Sequence, residues 1–370
     1  MHFAFVLYRF FPHGGLQKDF LRTCYEALGR GHRVTAVFAE QEADLPEHEN
    51  LSVVKLPVRG FSNHRKMRSF AGEVQKFIGG NKFDKVLMFN RMPGGDLYFA
   101  ADDCLAEGYY RKYPAWLLKL LPRYRTFLEL EKSVFDNSAS THILALTEKQ
   151  IAAYCKFYQT LPQRFTLMPP GIDAACRLPE DPGAVRRKIR SMYNIADDAA
   201  LLIQVAAQFE IKGVDRSIAA LASLPESWKN RCVLLIAGGG AIAEYQAVAR
   251  KYDVEKQVIF CGAVSNIHEL LAAADLMIHP ARKEATGTVL VEALALGVPA
   301  IASGICGYAF YCGKLDEKLV LAEPFSQKEL DLTLLYSLDN LEKLTRAAAK
   351  NINHPDFYRR TGAMVDLLEK

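Results

Sequence analysis

The sequence predicts an α/β protein made of two successive halves, each a run of short strands alternating with helices. Three observations carry this expectation. Short apolar runs at residues 3–7, 201–206 and 233–237 are each followed by a loop and a segment of helical spacing, the rhythm of parallel strands joined by crossover helices. Pro169-Pro170-Gly171-Ile172-Asp173 and the polar, proline-bearing run 178–183 interrupt that rhythm near the middle, as an exit from one half and a hinge do. The 370 residues, half of them apolar, suffice for two cores.

In the first half, residues 3–7 read as a strand, Gly14-Gly15 open a helix running to Arg30, Gly31-His32 stop it, and residues 34–38 form the next strand. Paired glycines let a backbone approach a phosphate or sugar closely, and a tight strand-to-helix turn uses them equally well. Asp19 in that helix is a site candidate or a structural residue on equal terms. Strands follow at 53–56, 85–89 and 97–101, with the basic connection Asn63-His64-Arg65-Lys66-Met67-Arg68 among them. Ligands of open parallel sheets bind beyond the carboxyl ends of strands. That marks Asp102 as a site candidate, with Asp103 as its competitor. Residues 142–146 are a strand before an N-cap at Thr147, and 165–168 close the half.

The second half continues with a strand at 201–206, Lys212-Gly213, and a helix through Ala222. A lysine before a glycine at such a junction can meet a diphosphate as a point charge; taken alone it is equally a surface lysine. Strands at 233–237, 258–262 and 276–279 and a helix at 266–274 follow, and Gly238-Gly239-Gly240 ends one of the strands. A final amphipathic helix spans 358–369. Arg177, just past the junction, is a further candidate.

The most informative stretch is Glu284-Ala-Thr-Gly-Thr-Val-Leu-Val-Glu292. It follows a strand closed by Pro280 and runs into a helix stopped by Gly297 and Pro299, so Glu284 reads as a loop acid and Glu292 as a first-turn acid. Between them lie the free amides of Gly287, Thr288 and Val289, and amides at a helix start attract phosphate. The flanking acids are then left to hold hydroxyls. A nucleotide sugar, with a diphosphate between two sugars, meets both demands; an ordinary acidic helix start shows the same pattern.

A net charge of +4 argues against a general nucleic-acid binder. Eight scattered cysteines without a CxxC pair or a zinc-like histidine spacing read as reduced thiols, so no metal site is expected. No apolar run is long enough to span a bilayer, and residues 2–8 lack the marks of a signal peptide. The expected location is the cytoplasm.

These residues together resemble the family 4 retaining glycosyltransferases. The resemblance rests on Gly14-Gly15, Pro170-Gly171-Ile172-Asp173, Lys212-Gly213, Gly238-Gly239-Gly240, Phe260-Cys261-Gly262 and the acids Glu284 and Glu292, an ordered set covering most of the chain. It sharpens toward those members that move glucose from UDP-glucose to an inner-core heptose of lipopolysaccharide. Tyr8-Arg-Phe-Phe-Pro-His-Gly-Gly-Leu-Gln17, Phe99-Ala-Ala-Asp102, Lys212-Gly-Val-Asp-Arg-Ser217, the run 219–227 and Cys306-Gly-Tyr308 carry that likeness. The resemblance implies a GT-B fold, with two Rossmann-like domains facing across a cleft. It implies an N-terminal acceptor-side domain at 1–170, a C-terminal donor-binding domain at 171–352 and a closing helix at 353–370. It also implies retention of anomeric configuration, no metal or other cofactor, Glu292 on the ribose, Glu284 on the sugar, Lys212 on the diphosphate and Gly15 close to the donor. Relatives commonly carry a histidine where this chain has Asp102. A hydrolase or epimerase of UDP-sugars, or a non-catalytic nucleotide-sugar-binding protein at the membrane, shares much of this pattern.

Residues 109–132 stand apart. Arg111, Lys112, Lys119, Arg123 and Arg125 interleave with Trp116 and the leucines at 117, 118, 120 and 121. Basic residues near an anionic bilayer contribute about 1 kcal/mol each, and tryptophan settles at the headgroup level. The stretch therefore reads as a peripheral contact with the cytoplasmic face of the inner membrane, where a lipid-linked acceptor resides. An ordinary helix with a basic outer face fits nearly as well.

Overall fold

The computed structural model describes residues 1–11 and 14–370. Pro12 and His13, part of the 8–17 motif, lie outside the described residues. The chain divides into two compact units, one of residues 1–171 and 359–370 and the other of residues 172–358.

Among the described residues, the first unit is built on seven strands: β1 (His2–Phe10), β2 (Arg33–Gln41), β3 (Leu51–Lys55), β4 (Lys85–Met88), β5 (Leu97–Ala100), β6 (His142–Ala145) and β7 (Phe165–Leu167). They pair in parallel in the order β3-β2-β1-β4-β5-β6-β7. β1 extends beyond the expected residues 3–7 because Phe10 is buried and packs on Phe20 and Phe38, while Arg9 meets Glu42 of the neighbouring segment. Alternation along β1 sends Phe3, Phe5 and Leu7 to one core and Ala4 and Val6 to another. A parallel sheet covered on both faces requires such all-apolar strands.

The first core is closed by α1 (Gly15–Gly29) and the second by α2 (Asn63–Gly80). Next come α3 (Leu105–Lys112), α4 (Ala115–Leu120) and α5 (Pro122–Phe135), then α6 (Glu148–Tyr158). The Thr147 hydroxyl accepts from the Gln150 amide at 3.1 Å, and the Gln150 side chain accepts from the Leu146 amide at 2.9 Å. This is a variant of the capping box that a Thr-x-x-Gln spacing encodes, with the glutamine reaching the amide one residue before the N-cap.

Among the described residues, the second unit has six strands: β8 (Ala200–Val205), β9 (Cys232–Ala237), β10 (Val258–Gly262), β11 (Leu276–His279), β12 (Ala300–Ser303) and β13 (Val320–Leu321). Their order is β10-β9-β8-β11-β12-β13, again parallel throughout. It opens with α7 (Pro182–Met192), started by Asp181 accepting from the Ala184 amide at 2.8 Å with Pro182 in its first turn. The run 178–183 lies inside this unit; the Leu178 amide donates to Asn353 at 3.1 Å.

Both sheets reverse their strand order beside their first strand, between β1 and β4 and between β8 and β11. Each is a Rossmann order with one switch point, where ligands of such sheets bind.

The last helix, α8 (Arg360–Leu368), returns to the first unit. Met364, Val365 and Leu368 are buried in its core beside Phe20 and Cys24. Arg30 holds Asp366 at 2.7 Å and Glu369 at 3.0 Å. Among the described residues no helix is long and apolar enough to cross a membrane.

Candidate active site

The site candidates of the second unit gather at its switch point. After β8, the short helix Phe209–Lys212 ends on Gly213, whose φ of +68° is left-handed. A Cβ there would strike the carbonyl oxygen of Pro280, just after β11. Only glycine lets the two loops close this far. The Arg282 amide donates to the Ile211 carbonyl at 2.8 Å, and the Arg282 guanidinium grips Asp215 through two bonds of 2.7 and 2.6 Å. From inside β8, Gln204 donates to the Lys212 carbonyl at 2.7 Å. These contacts deliver the Lys212 ammonium to the Glu284 carboxylate, with which it is ion-paired.

Glu284 has a second partner, absent from the sequence reading. His279, the last residue of β11, is 0 % exposed, and its Nε2 lies 3.3 Å from Glu284 Oε2. Burial pushes the Glu284 carboxyl up, but the His279 hydrogen bond and the Lys212 charge outweigh it and bring it down to about 2. The carboxylate is thus held ionised in a largely dry place.

The next helix, Thr288–Ala295, begins on Gly287 at φ +78°. A Cβ on Gly287 would crowd Leu290 at 3.1 Å, Cys306 at 3.4 Å and the Glu284 side chain at 3.5 Å. The loop before it is pinned from the next strand's exit, since the amides of Gly307 and Tyr308 donate to Ala285 and Thr286 at 3.1 and 2.7 Å. The first amides of this helix have no partner within it. Glu292 falls in its second turn rather than the first, one turn after Thr288 and on the same face. Helical side chains lean toward the N-terminus, so Glu292 still faces the helix start. Lys212, Glu284, Gly287, Thr288, Val289 and Glu292 are therefore one neighbourhood. Arg177 of this unit holds its guanidinium 4.4 Å from the Tyr358 ring centroid, and the thiol of its neighbour Cys176 donates to the Glu292 carbonyl at 3.7 Å.

The candidates of the first unit occupy the corresponding edge of their own sheet. Gly15 starts α1, and a Cβ on it would meet nothing within 4 Å, whereas one on Gly14 would displace the end of the Gln17 side chain and crowd the Phe11 ring. Asp19 pairs with Arg360 at 3.2 Å, a tie between α1 and α8. Burial raises its carboxyl, with Arg360 and Arg22 opposing. Asp102 lies past β5 with its side chain 74 % exposed, 3.7 Å from Arg91, and Arg91 donates to the Asp102 and Asp103 carbonyls at 3.2 and 2.7 Å.

Arg91 also escaped the sequence reading, together with its partner Glu131. Glu131 is 0 % exposed and meets Arg91 Nε at 3.1 Å. It accepts from the amides of Leu105 and Ala106 at 2.8 and 2.9 Å and from the Tyr158 hydroxyl at 2.6 Å. One buried carboxylate thereby caps α3, anchors α5 and holds the arginine under the Asp102 turn. The two residues lie forty positions apart in the sequence, so no local spacing announces them. His279 and Gln204 did leave a signal, as lone polar residues in otherwise apolar strands.

Two Rossmann sheets, one with a lysine, a buried carboxylate and open helix amides at its switch point, define a class: α/β enzymes that handle a phosphate-linked substrate. Residues 185–354 match the model of the family described as Glycosyl transferases group 1. Over 367 residues the chain is 40% identical to the lipopolysaccharide glucosyltransferase WaaG of Escherichia coli K12, covering 99% of this chain and 96% of that protein. A crystal structure of WaaG, described as a glycosyltransferase involved in lipopolysaccharide biosynthesis, superposes with a TM-score of 0.85 at 38% identity, covering 99% of each chain. The fold is shared more widely, as with Anabaena HepE in complex with UDP, at a TM-score of 0.73, 16% identity and full coverage of both chains. The chain belongs to the group 1 glycosyl transferases.

Proposed function

We propose that this enzyme moves glucose from UDP-glucose to an inner-core heptose of lipopolysaccharide with retention of configuration. The observation that carries the reading is the joined Lys212, Glu284 and helix-start arrangement at the second unit's switch point, in a chain similar to WaaG over nearly its whole length. In this reading the second unit takes the donor and the first the acceptor. The helix-start amides and Lys212 receive the diphosphate, Glu292 the ribose hydroxyls and Glu284 the hydroxyls of the sugar. Gly15 lies close to the donor and Asp102 contacts the sugar or acceptor, with Asp19, Asp103 and Arg177 as further candidates.

The bond between the anomeric carbon and UDP breaks, its electron pair leaving with the β-phosphate. The new bond to the acceptor oxygen forms on the same face, and the acceptor proton passes to the departing phosphate. Negative charge grows on that phosphate as it leaves. Lys212 and the fixed amides stabilise it where it develops, the arrangement that lowers a barrier most effectively. No metal is required for this role.

Residues 109–132 support a peripheral contact with the cytoplasmic face of the inner membrane. Trp116 is 63 % and Leu120 68 % exposed, while Leu118 is buried and seats the segment on its own unit.

The test follows UDP release from UDP-glucose with and without a heptose-bearing core acceptor. Acceptor-dependent release with an α-glycoside product supports the proposal. Release indifferent to acceptor favours a hydrolase or epimerase, and activity lost on chelation and restored by magnesium overturns the metal-free role of Lys212.

A further inference from the structure

We propose that His279 is a positioning residue that keeps hold of Glu284 while Lys212 is handed over from Glu284 to the diphosphate of the donor. The inference rests on the donor-site reading above and adds to it a residue and an order of events.

Among the described residues, the Lys212 ammonium and His279 Nε2 both fall on the same oxygen of Glu284, Oε2. Oε1 is left to accept from a ligand hydroxyl. The two partners differ in freedom. His279 ends a buried strand, is itself fully buried and follows the register of β11 against β12; it stays where the sheet puts it. Its Nδ1 is buried without a partner, so the ring proton belongs on Nε2, directed at Glu284. Lys212 reaches the same oxygen on a flexible four-carbon stem from the end of a short helix and can swing away.

A lysine that is to meet a leaving diphosphate must give up its carboxylate. Were it the only partner, the handover would strand a buried charge, which is costly. The histidine bond remains and divides that cost. In the free enzyme the same pairing keeps the Lys212 charge satisfied until a better anion arrives.

The experiment titrates the Glu284 carboxyl by carbon-13 NMR, with glutamate labelled and the signal assigned through Glu284→Gln, in the free protein and with saturating UDP. Three proteins are compared: wild type, His279→Gln, whose amide can still reach Oε2, and His279→Asn, one methylene shorter. UDP should raise the wild-type midpoint from its low free value, because Lys212 leaves, yet keep it below the usual carboxylate range. In His279→Asn with UDP it should enter or pass that range. His279→Gln should stay near wild type. In turnover, His279→Asn should lose about 10- to 100-fold in kcat, the scale of one charge-assisted hydrogen bond, with UDP affinity kept within about 2-fold, and His279→Gln should restore most of it.

A UDP-bound midpoint equal to the free one overturns the handover. Equal losses in the Gln and Asn variants, or none in either, overturn the positioning role. If UDP does not bind the wild-type protein, the donor-site reading falls and this inference with it. If it binds without moving Glu284, only the inference falls.

Discussion

Glu284 and Glu292 carry the same charge in different settings. Both are half-buried, Glu284 in a loop against Lys212 and His279 and Glu292 on the face of a helix start. If the first serves the sugar and the second the ribose, Glu292→Ala weakens UDP binding by about 10- to 100-fold, the loss of roughly 1.5–3 kcal/mol in charged hydrogen bonds. Glu284→Ala leaves UDP affinity within a few-fold and lowers kcat. Calorimetry and steady-state kinetics on both variants check the split, and equal losses of UDP affinity contradict it. Acid stability offers a second handle. The folded carboxyl of Glu284 lies near 2 against an unfolded value of 4.5, so its pairing stabilises the protein above the unfolded value and is lost as pH falls through the folded one. Glu284→Gln should therefore flatten the loss of stability between those two values, read from denaturant midpoints across the range. The two acids were legible in the sequence because a glycine and a helix stop frame them. His279 showed only as a lone polar residue in an apolar strand; its partner is a loop acid five residues on that the fold bends back toward it.

At the level of elements, the alternation of strand and helix was plain, while the 109–132 segment was not. Composition showed its basic and aromatic character. The start of α3 is held by a carboxylate 26 positions further along the chain, which itself meets an arginine forty positions before it. Glu131→Ala removes the cap of α3 and the buried partner of Arg91, which keeps its bonds to the Asp102 turn, a change worth about 2–4 kcal/mol. Its expected signature is a lowered melting temperature with faster hydrogen exchange at Leu105 and Ala106. The outward face of the same segment makes the opposite kind of prediction, visible only beside lipid. Arg123→Glu with Arg125→Glu should abolish sedimentation with anionic vesicles at low salt, the wild type should bind anionic but not zwitterionic vesicles, and rising salt should weaken that binding. Binding that ignores lipid charge and both substitutions contradicts a docking role.

Across the whole molecule, one sheet order recurs in both units without evident sequence repetition, because the order reflects the handedness and shortness of crossover connections more than side-chain identity. The return of the chain to its first unit is tertiary information. An amphipathic final helix announces that it packs, not what it packs on. Deleting 359–370 uncovers the side of the first core that Met364, Val365 and Leu368 close and removes the partners of Arg30 and Asp19. The expected result is selective loosening of residues 1–171, read by limited proteolysis, with protection within 172–358 kept; uniform protection of both units would contradict it.

The same helix sets an order of assembly during synthesis. The second unit is one uninterrupted piece of chain, whereas the first needs residues from both ends. A ribosome making this protein from its N-terminus delivers all of residues 172–358 before the last helix of the first unit exists. The portion translated first is the portion completed last. Until that last helix is made, the surface of α1 that receives Met364 and Leu368 is bare, and a nascent chain stalled before residue 359 is expected to be the form that a chaperone binds.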